Sequence, residues 1–75
     1  MSKINPKFPD QFSKRLKSKL AEYGWTQQDL ADEMGCTRGY INNLATGVKK
    51  PGLKAVTNVS EALDVPIGYF LFHDK

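Results

Sequence analysis

Glycines that stop helices recur at short intervals along this chain, and they constrain its fold more than any other feature. Gly24, Gly35 and Gly47 each follow a segment in which apolar residues recur every three or four positions. That spacing is typical of one helical face, and a glycine after it favours the left-handed backbone that ends a helix. The pattern predicts two short helices over residues 26–34 and 37–46, joined by a tight turn.

Threonines mark the starts of these two helices. Thr26 and Thr37 each precede a helical segment, where a Thr oxygen can accept a hydrogen bond from a free backbone amide. Asp29 stands three residues after Thr26, in the arrangement of a capping box. Because Asp is one methylene shorter than the usual Glu, whether its carboxylate reaches the Thr26 amide stays open.

Three further helices are predicted around this pair. The first runs from Pro9 to Tyr23 and the fourth starts at Leu53, and the break at Pro66 leaves a very apolar fifth helix or turn over residues 66–72. No strand pattern appears, and the sequence therefore predicts one all-α domain over residues 1–75, a compact bundle of about five short helices. The residues expected to face inward are Phe12, Leu16, Leu20, Tyr23, Leu30, Ala31, Met34, Ile41, Leu44, Leu53, Val56, Val59 and Leu63.

Composition excludes several classes of protein. The single cysteine, Cys36, cannot form an internal disulfide, and we interpret it as a packing residue rather than a redox sensor. No apolar run approaches the roughly 20 residues that cross a bilayer, and no signal peptide is recognisable, which predicts a cytoplasmic protein without a membrane partner. His73 beside Asp74 makes no acid/base constellation. We therefore expect no enzyme, cofactor or metal, and a small hydrolase or nuclease is the weakest alternative.

Positive charge is concentrated in two segments. The net charge is +3, but residues 1–24 carry six Lys and Arg against two Asp and Glu, and residues 36–54 carry four against none. Residues 25–35 carry three acidic residues and no basic one. This separation indicates an anionic partner without identifying it.

Four short motifs then follow one another in order. They are T-Q-x-x-L-A from Thr26, G-x-T-x-x-x-I from Gly35, T-G-x-K-x-P from Thr46 and A-L-x-V from Ala62. With the first helix included, residues 10–72 resemble the lambda-repressor-like (Cro/repressor, XRE-type) family of helix-turn-helix DNA-binding domains. The resemblance implies double-stranded DNA as partner, with the motif over residues 26–46 and its second helix in the major groove.

The resemblance also implies which residues contact DNA. Arg38 is suited to guanine, and Asn42 or Asn43 to adenine, while Gly39 occupies a base-facing position that usually carries a polar side chain. The alternative for each polar residue is a solvated surface position. The lysines of the first helix are interpreted as a solvated face rather than a second DNA site, and Lys3 and Lys7 as a flexible basic arm over residues 1–8 or an ordered strand. The residues expected on the DNA backbone are Gln27, Thr37, Tyr40, Asn43, Thr46, Lys49 and Lys50.

The apolar C-terminal segment, residues 66–72, is predicted to make a dimer contact. Phe70 and Ile67 are expected to close the monomer core, whereas Tyr69, Leu71 and Phe72 exceed what so small a core absorbs. Family members often pair through this region, which places two recognition helices roughly 34 Å apart on an inverted repeat. The residues assigned to this contact are Ile67, Tyr69, Leu71 and Phe72.

The function that these expectations favour is a sequence-specific transcriptional regulator, a phage or prophage repressor or Cro-like protein that occupies its operator as a homodimer. Such a protein acts at the nucleoid, by excluding RNA polymerase or by contacting it. The alternative is an antitoxin or other interaction module, in which the C-terminal segment holds a toxin partner and DNA binding serves autoregulation. Restriction-modification controllers share the fold as well.

Overall fold

Five helices connected by short turns make up residues 8–71, which are the residues that the computed structural model describes. The all-α prediction is confirmed, and no strand occurs in this range. No helix among these residues combines the length and the apolar character needed to cross a membrane. The helices are α1 (Phe8–Tyr23), α2 (Gln27–Met34), α3 (Arg38–Thr46), α4 (Leu53–Leu63) and α5 (Gly68–Leu71).

Local hydrogen bonds and backbone angles explain why α2 and α3 begin and end where they do. Thr26 Oγ1 accepts from the Asp29 amide at 3.1 Å, and Asp29 Oδ2 accepts from the Thr26 amide at 2.8 Å, which completes the capping box. The Asp29 side chain, although shorter than that of Glu, therefore reaches the Thr26 amide. Gly35 and Gly47 lie in left-handed backbone with φ of 70° and 83° and end the two helices as expected.

All five helices contribute buried apolar residues to one core. α1 packs against both α3 and α5, while α2 packs against α3 and α4. The rings of Phe12 in α1 and Phe70 in α5 meet with centroids 4.9 Å apart, and both side chains are fully buried. The remaining buried apolar residues are Leu16, Leu20, Leu30, Ala31, Ile41, Leu44, Ala45, Val56, Val59, Leu63 and Leu71.

Two residues expected to face inward are instead exposed. Leu53 is 61% exposed because it is the first residue of α4, and burial on that helix begins one turn later at Val56. Tyr23 is 39% exposed and lies at the last position of α1. Its hydroxyl donates to the Leu63 carbonyl at 2.7 Å, so its polar end joins α1 to the end of α4.

The expectation that Leu71 lies beyond the core is wrong, since its side chain is only 5% exposed. The reason is the way that α5 attaches to α1. Gln11 Nε2 donates to the Phe70 carbonyl at 3.0 Å, and the Arg15 guanidinium donates to the Tyr69 carbonyl. These bonds join two carbonyls of α5 to side chains of α1 and hold α5 against the core.

Candidate nucleic-acid interface

The turn between α2 and α3 consists of three residues and is closed by backbone hydrogen bonds. The Gly35 amide donates to the Asp32 carbonyl at 3.3 Å, and the Cys36 amide donates to the Ala31 carbonyl at 2.9 Å. Thr37 then caps α3 by accepting from the Tyr40 amide at 3.2 Å. Because each of the three turn residues is hydrogen-bonded to a helix end, α3 is held in one orientation on α2.

α3 has two faces of opposite character. Ile41, Leu44 and Ala45 are fully buried and face the core. Arg38 is exposed at the first position of the helix. The other exposed residues predicted to meet bases are Gly39, Asn42 and Asn43.

Gly39 leaves open space on this exposed face. A Cβ atom added there would meet no other heavy atom within 4 Å, and the backbone is not in the left-handed region. Neither packing nor backbone geometry therefore requires glycine at this position. The missing side chain instead lowers the surface beside Arg38, so that another molecule can approach the helix backbone closely.

Within residues 8–71, neither Asn42 nor Asn43 uses its side-chain amide in a hydrogen bond. The Thr46 hydroxyl donates to the Asn42 carbonyl at 2.9 Å, and the Lys49 amide donates to the Asn43 carbonyl at 3.0 Å. Both bonds use backbone oxygens and leave the side-chain groups uninvolved. An Asn amide presents a donor and an acceptor together, the pair that matches the major-groove edge of adenine.

The residues predicted to contact the DNA backbone differ in what they can donate. The Thr37 oxygen accepts the capping bond, which leaves its hydroxyl hydrogen for an outside acceptor. The Thr46 hydroxyl already donates inside α3, and Tyr40 is half-buried against the core. Gln27, the first residue of α2, is also half-buried.

The loop after α3 carries two exposed lysines, Lys49 and Lys50. The bond from the Lys49 amide to Asn43 fixes the start of this loop against the last turn of α3. Pro51 is buried directly after the lysines, so the loop is held at both ends. The two lysines therefore lie in the loop that directly follows α3, where they add positive charge.

One pair of residues near this face is not predicted by sequence reasoning. Lys14 and Lys17 of α1 line a shallow groove with Thr46 and Gly47 at the end of α3. The only signal in the sequence is their spacing of three residues, which puts them on one flank of a helix. That spacing does not reveal which other helix lies beside them.

Acidic residues meet between two other helices. Glu33 and Met34 of α2 line a second groove with Asn58, Glu61 and Ala62 of α4. None of the residues predicted to contact DNA lies in this groove. The two carboxylates disfavour an anion in this groove, whereas Arg38, Lys49 and Lys50 favour one at α3 and its loop.

Cys36 packs against the core from the turn and is half-buried. Desolvation by this burial raises the pKa of its thiol above the ordinary value. Both observations agree with a packing role. Across residues 8–71, no three His, Cys, Asp or Glu side chains come together in a group that suits a metal ion.

Several sequence predictions fall outside the described residues. They concern the basic arm with Lys3 and Lys7, the dimer contact of Phe72, and the pair His73 and Asp74.

Comparison with known proteins agrees with this arrangement. The HTH_3 family, described as Helix-turn-helix, matches residues 16–70. Over 60 residues, the chain is 37% identical to the uncharacterized HTH-type transcriptional regulator YqaE of Bacillus subtilis (strain 168), and this covers 80% of the chain and 52% of that protein. It is 35% identical over 60 residues to YonR, an SPbeta prophage-derived uncharacterized HTH-type transcriptional regulator of the same strain, covering 80% of the chain and 56% of YonR.

The chain thus spans about half the length of these curated relatives. Among solved structures, the restriction-modification controller protein C.AhdI from Aeromonas hydrophila has the same fold, with a TM-score of 0.76 and 24% identity. That match covers 83% of this chain and 94% of C.AhdI. The family match covers most of the chain and coincides with the two capped helices and their closed turn, and the chain therefore belongs to the HTH_3 family of helix-turn-helix proteins.

Proposed function

We propose that this chain is a sequence-specific DNA-binding transcriptional regulator whose helix α3 enters the major groove. The observation that carries the proposal is the two-sided character of α3. Its buried face fixes the helix on the core, and its exposed face presents Arg38, Asn42 and Asn43 together. These side chains have the donor and acceptor patterns that distinguish base pairs in the major groove.

Each polar residue has a distinct role in this proposal. Arg38 donates two hydrogen bonds to guanine O6 and N7, and Asn42 or Asn43 pairs with adenine. Gly39 lets a base edge come close to the helix backbone. The residues that hold flanking phosphates and set the register are Gln27, Thr37, Tyr40, Asn43, Lys49 and Lys50, whereas the Thr46 hydroxyl donates inside α3 and is left out of this set.

The biological setting that we propose is a phage or prophage regulator, of the repressor or Cro type, that binds its operator as a homodimer. The prophage origin of YonR supports this setting. In α5 and the turn before it, Ile67 and Tyr69 are half-buried and still present apolar surface. The side chain of Leu71, in contrast, is buried in the core. The proposed dimer contact therefore centres on Ile67 and Tyr69.

The experiment that tests this function is a selection from random DNA duplexes with the purified chain. The enriched duplex and a scrambled duplex are then compared by fluorescence anisotropy, and the complex is sized by sedimentation. We expect an enriched inverted repeat bound by two chains. Sedimentation as one chain, both free and on DNA, would contradict the dimer, and the absence of any enriched sequence would contradict sequence-specific binding.

Two variants separate base contacts from phosphate contacts. Arg38→Ala is expected to weaken binding to the selected duplex by about 1–3 kcal/mol and to relax the preference at one base pair. Lys50→Ala is expected to weaken binding to both duplexes by the same factor and to reduce the salt dependence. If Arg38→Ala instead weakens binding to both duplexes equally, the proposed contact between Arg38 and guanine is contradicted.

A further inference from the structure

α1 is attached to the end of α3 by a buried hydrogen bond. Ser13 Oγ donates to the Leu44 carbonyl at 3.1 Å, and the side chain of Ser13 is 9% exposed. A Cβ atom added to Gly47 would lie 3.6 Å from this Ser13 oxygen, which shows how closely α1 approaches the C-terminal end of α3. The residues that flank Ser13 on α1 therefore lie next to the last turn of α3.

A groove between α1 and α3 lies next to the contact between Ser13 and the end of α3. Asp10, Lys14 and Lys17 line it on the α1 side, and Ala45, Thr46 and Gly47 on the α3 side. Thr46 is the exposed last residue of α3, so the groove continues the surface formed by that helix. An elongated anion that follows α3 would thus reach the two lysines next.

Both lysines are available to such an anion. Lys14 and Lys17 are exposed, and neither forms an ion pair within residues 8–71, whereas Lys19 of the same helix contacts Glu22 at 3.1 Å. The groove also contains Asp10, whose carboxylate would repel a phosphate. Two ammonium groups against one carboxylate still favour an anion there.

The competing explanation is internal to the protein. The last turn of α3 contains no basic residue, and lysines from a neighbouring helix can offset the partial negative charge of its free carbonyls. In that case the lysines stabilise the fold and make no contact with DNA. The two explanations predict different measurements.

We propose that Lys14 and Lys17 bind backbone phosphates of the same DNA duplex that α3 enters, and so extend the phosphate-binding surface from the α3 loop onto α1. This inference rests on the proposed function. It assigns the two lysines to non-specific affinity, because phosphate contacts carry no base information. It also revises the expectation that the lysines of the first helix are only solvated.

The test compares three single variants that each remove one positive charge from α1. Lys14→Gln and Lys17→Gln change the groove, and Lys19→Gln is the matched control because Lys19 lies against Glu22 and the Tyr69 ring. Affinities for the selected and scrambled duplexes are measured between 0.05 and 0.4 M salt, and the unaltered protein and every variant are checked by thermal denaturation without DNA.

Each groove variant is expected to reduce the slope of log K against log salt by about 0.9 per chain, which corresponds to about eightfold weaker binding at 0.1 M salt if the lines meet at 1 M. The loss should be equal on both duplexes, and Lys19→Gln should keep the slope of the original protein. Asp10→Asn should strengthen binding to both duplexes.

The outcomes distinguish the inference from the function on which it rests. If the unaltered chain prefers no duplex, the proposed function fails and the inference fails with it. If it binds the selected duplex specifically but the groove variants keep its salt slope, the inference alone is overturned. Lower thermal stability together with an unchanged slope would identify the internal role at the end of α3.

Discussion

The capping box at the start of α2 gives the sharpest stability prediction. Thr26→Ala removes the oxygen that accepts from the Asp29 amide, and Asp29→Ala removes the carboxylate that accepts from the Thr26 amide. The two hydrogen bonds are reciprocal, and they hold the N-terminus of the helix on which α3 rests. A loss here therefore lowers the free energy of unfolding and leaves the exposed face of α3 intact.

The magnitude follows from what each substitution removes. Replacing a Thr N-cap by Ala costs about 1 kcal/mol, within a range of roughly 0.5–2. Removing the Asp29 carboxylate from a helix N-terminus costs about 0.3–1 kcal/mol for the dipole alone, to which the lost bond adds. In a domain of 75 residues, 1 kcal/mol lowers Tm by about 4–8 °C.

The assay is thermal and urea denaturation followed by circular dichroism, on both single variants and the double variant. Because each bond positions the partner of the other, the double variant should lose less stability than the two single losses combined. Gln28→Ala is the control on the same helix, since its side chain donates to Asp32 at 2.8 Å on the exposed surface and contributes only about 0.2–0.5 kcal/mol. A Tm for Thr26→Ala no lower than that of Gln28→Ala would refute the reasoning.

Two further predictions concern Gly39 and Cys36. Gly39→Ala should raise the free energy of unfolding by about 0.5–1 kcal/mol, because the added methyl enters open space within a helix and restricts the unfolded chain, whereas binding to the selected duplex should weaken. Thermal denaturation and anisotropy check the two effects, and a lower Tm would contradict the first. Burial raises the pKa of the Cys36 thiol, so alkylation by iodoacetamide should be slower in the folded chain than in urea and should rise at higher pH. The same shift makes its stability contribution complete below the thiol pKa of the unfolded chain, and that contribution is lost as pH rises through the folded-state pKa. Equal alkylation rates in the folded and unfolded chain would contradict this prediction.

Most helix boundaries were predictable because local chemistry determines them. Thr37 and Gly47 act through their own backbone and the next few residues, and the structure shows the cap and the left-handed φ that the sequence predicts. α4 has a less obvious end, since Asp64 adopts left-handed backbone at φ 58° without being glycine. Only Pro66, two residues later, indicated a break there.

The failed predictions depend on contacts between distant parts of the chain. Leu71 is buried because α5 is bonded to Gln11 and Arg15, which are 59 and 54 residues from the carbonyls they reach. Apolar spacing shows which side of a helix is apolar, but it does not show how much apolar surface the remaining helices cover. The prediction for Leu53 was wrong for a related reason. Leu53 has the spacing of the apolar face, but it lies in the first turn of α4, before the first buried residue of that helix.

The candidate site was predictable in its residue types and only partly in its extent. The helical period of α3 separates Arg38 and Asn42 from the buried Leu44, and the exposures agree with this separation. The position of Lys14 and Lys17 beside Thr46 was not predictable, because it follows from the bond between Ser13 and the Leu44 carbonyl across 31 residues.

α1 connects the two surfaces that the proposed function needs, because it packs against both α3 and α5. Ser13 contacts the end of α3, while Gln11 and Arg15 on either side of it contact the carbonyls of α5. In the proposed dimer, one turn of α1 therefore sets the position of the recognition helix relative to the dimer contact. Under this proposal, the spacing of the two half-sites depends on this turn of α1, whereas the bases preferred within a half-site depend on α3. Spacing is thus a property of tertiary contacts, which explains why the motif residues alone do not reveal the operator.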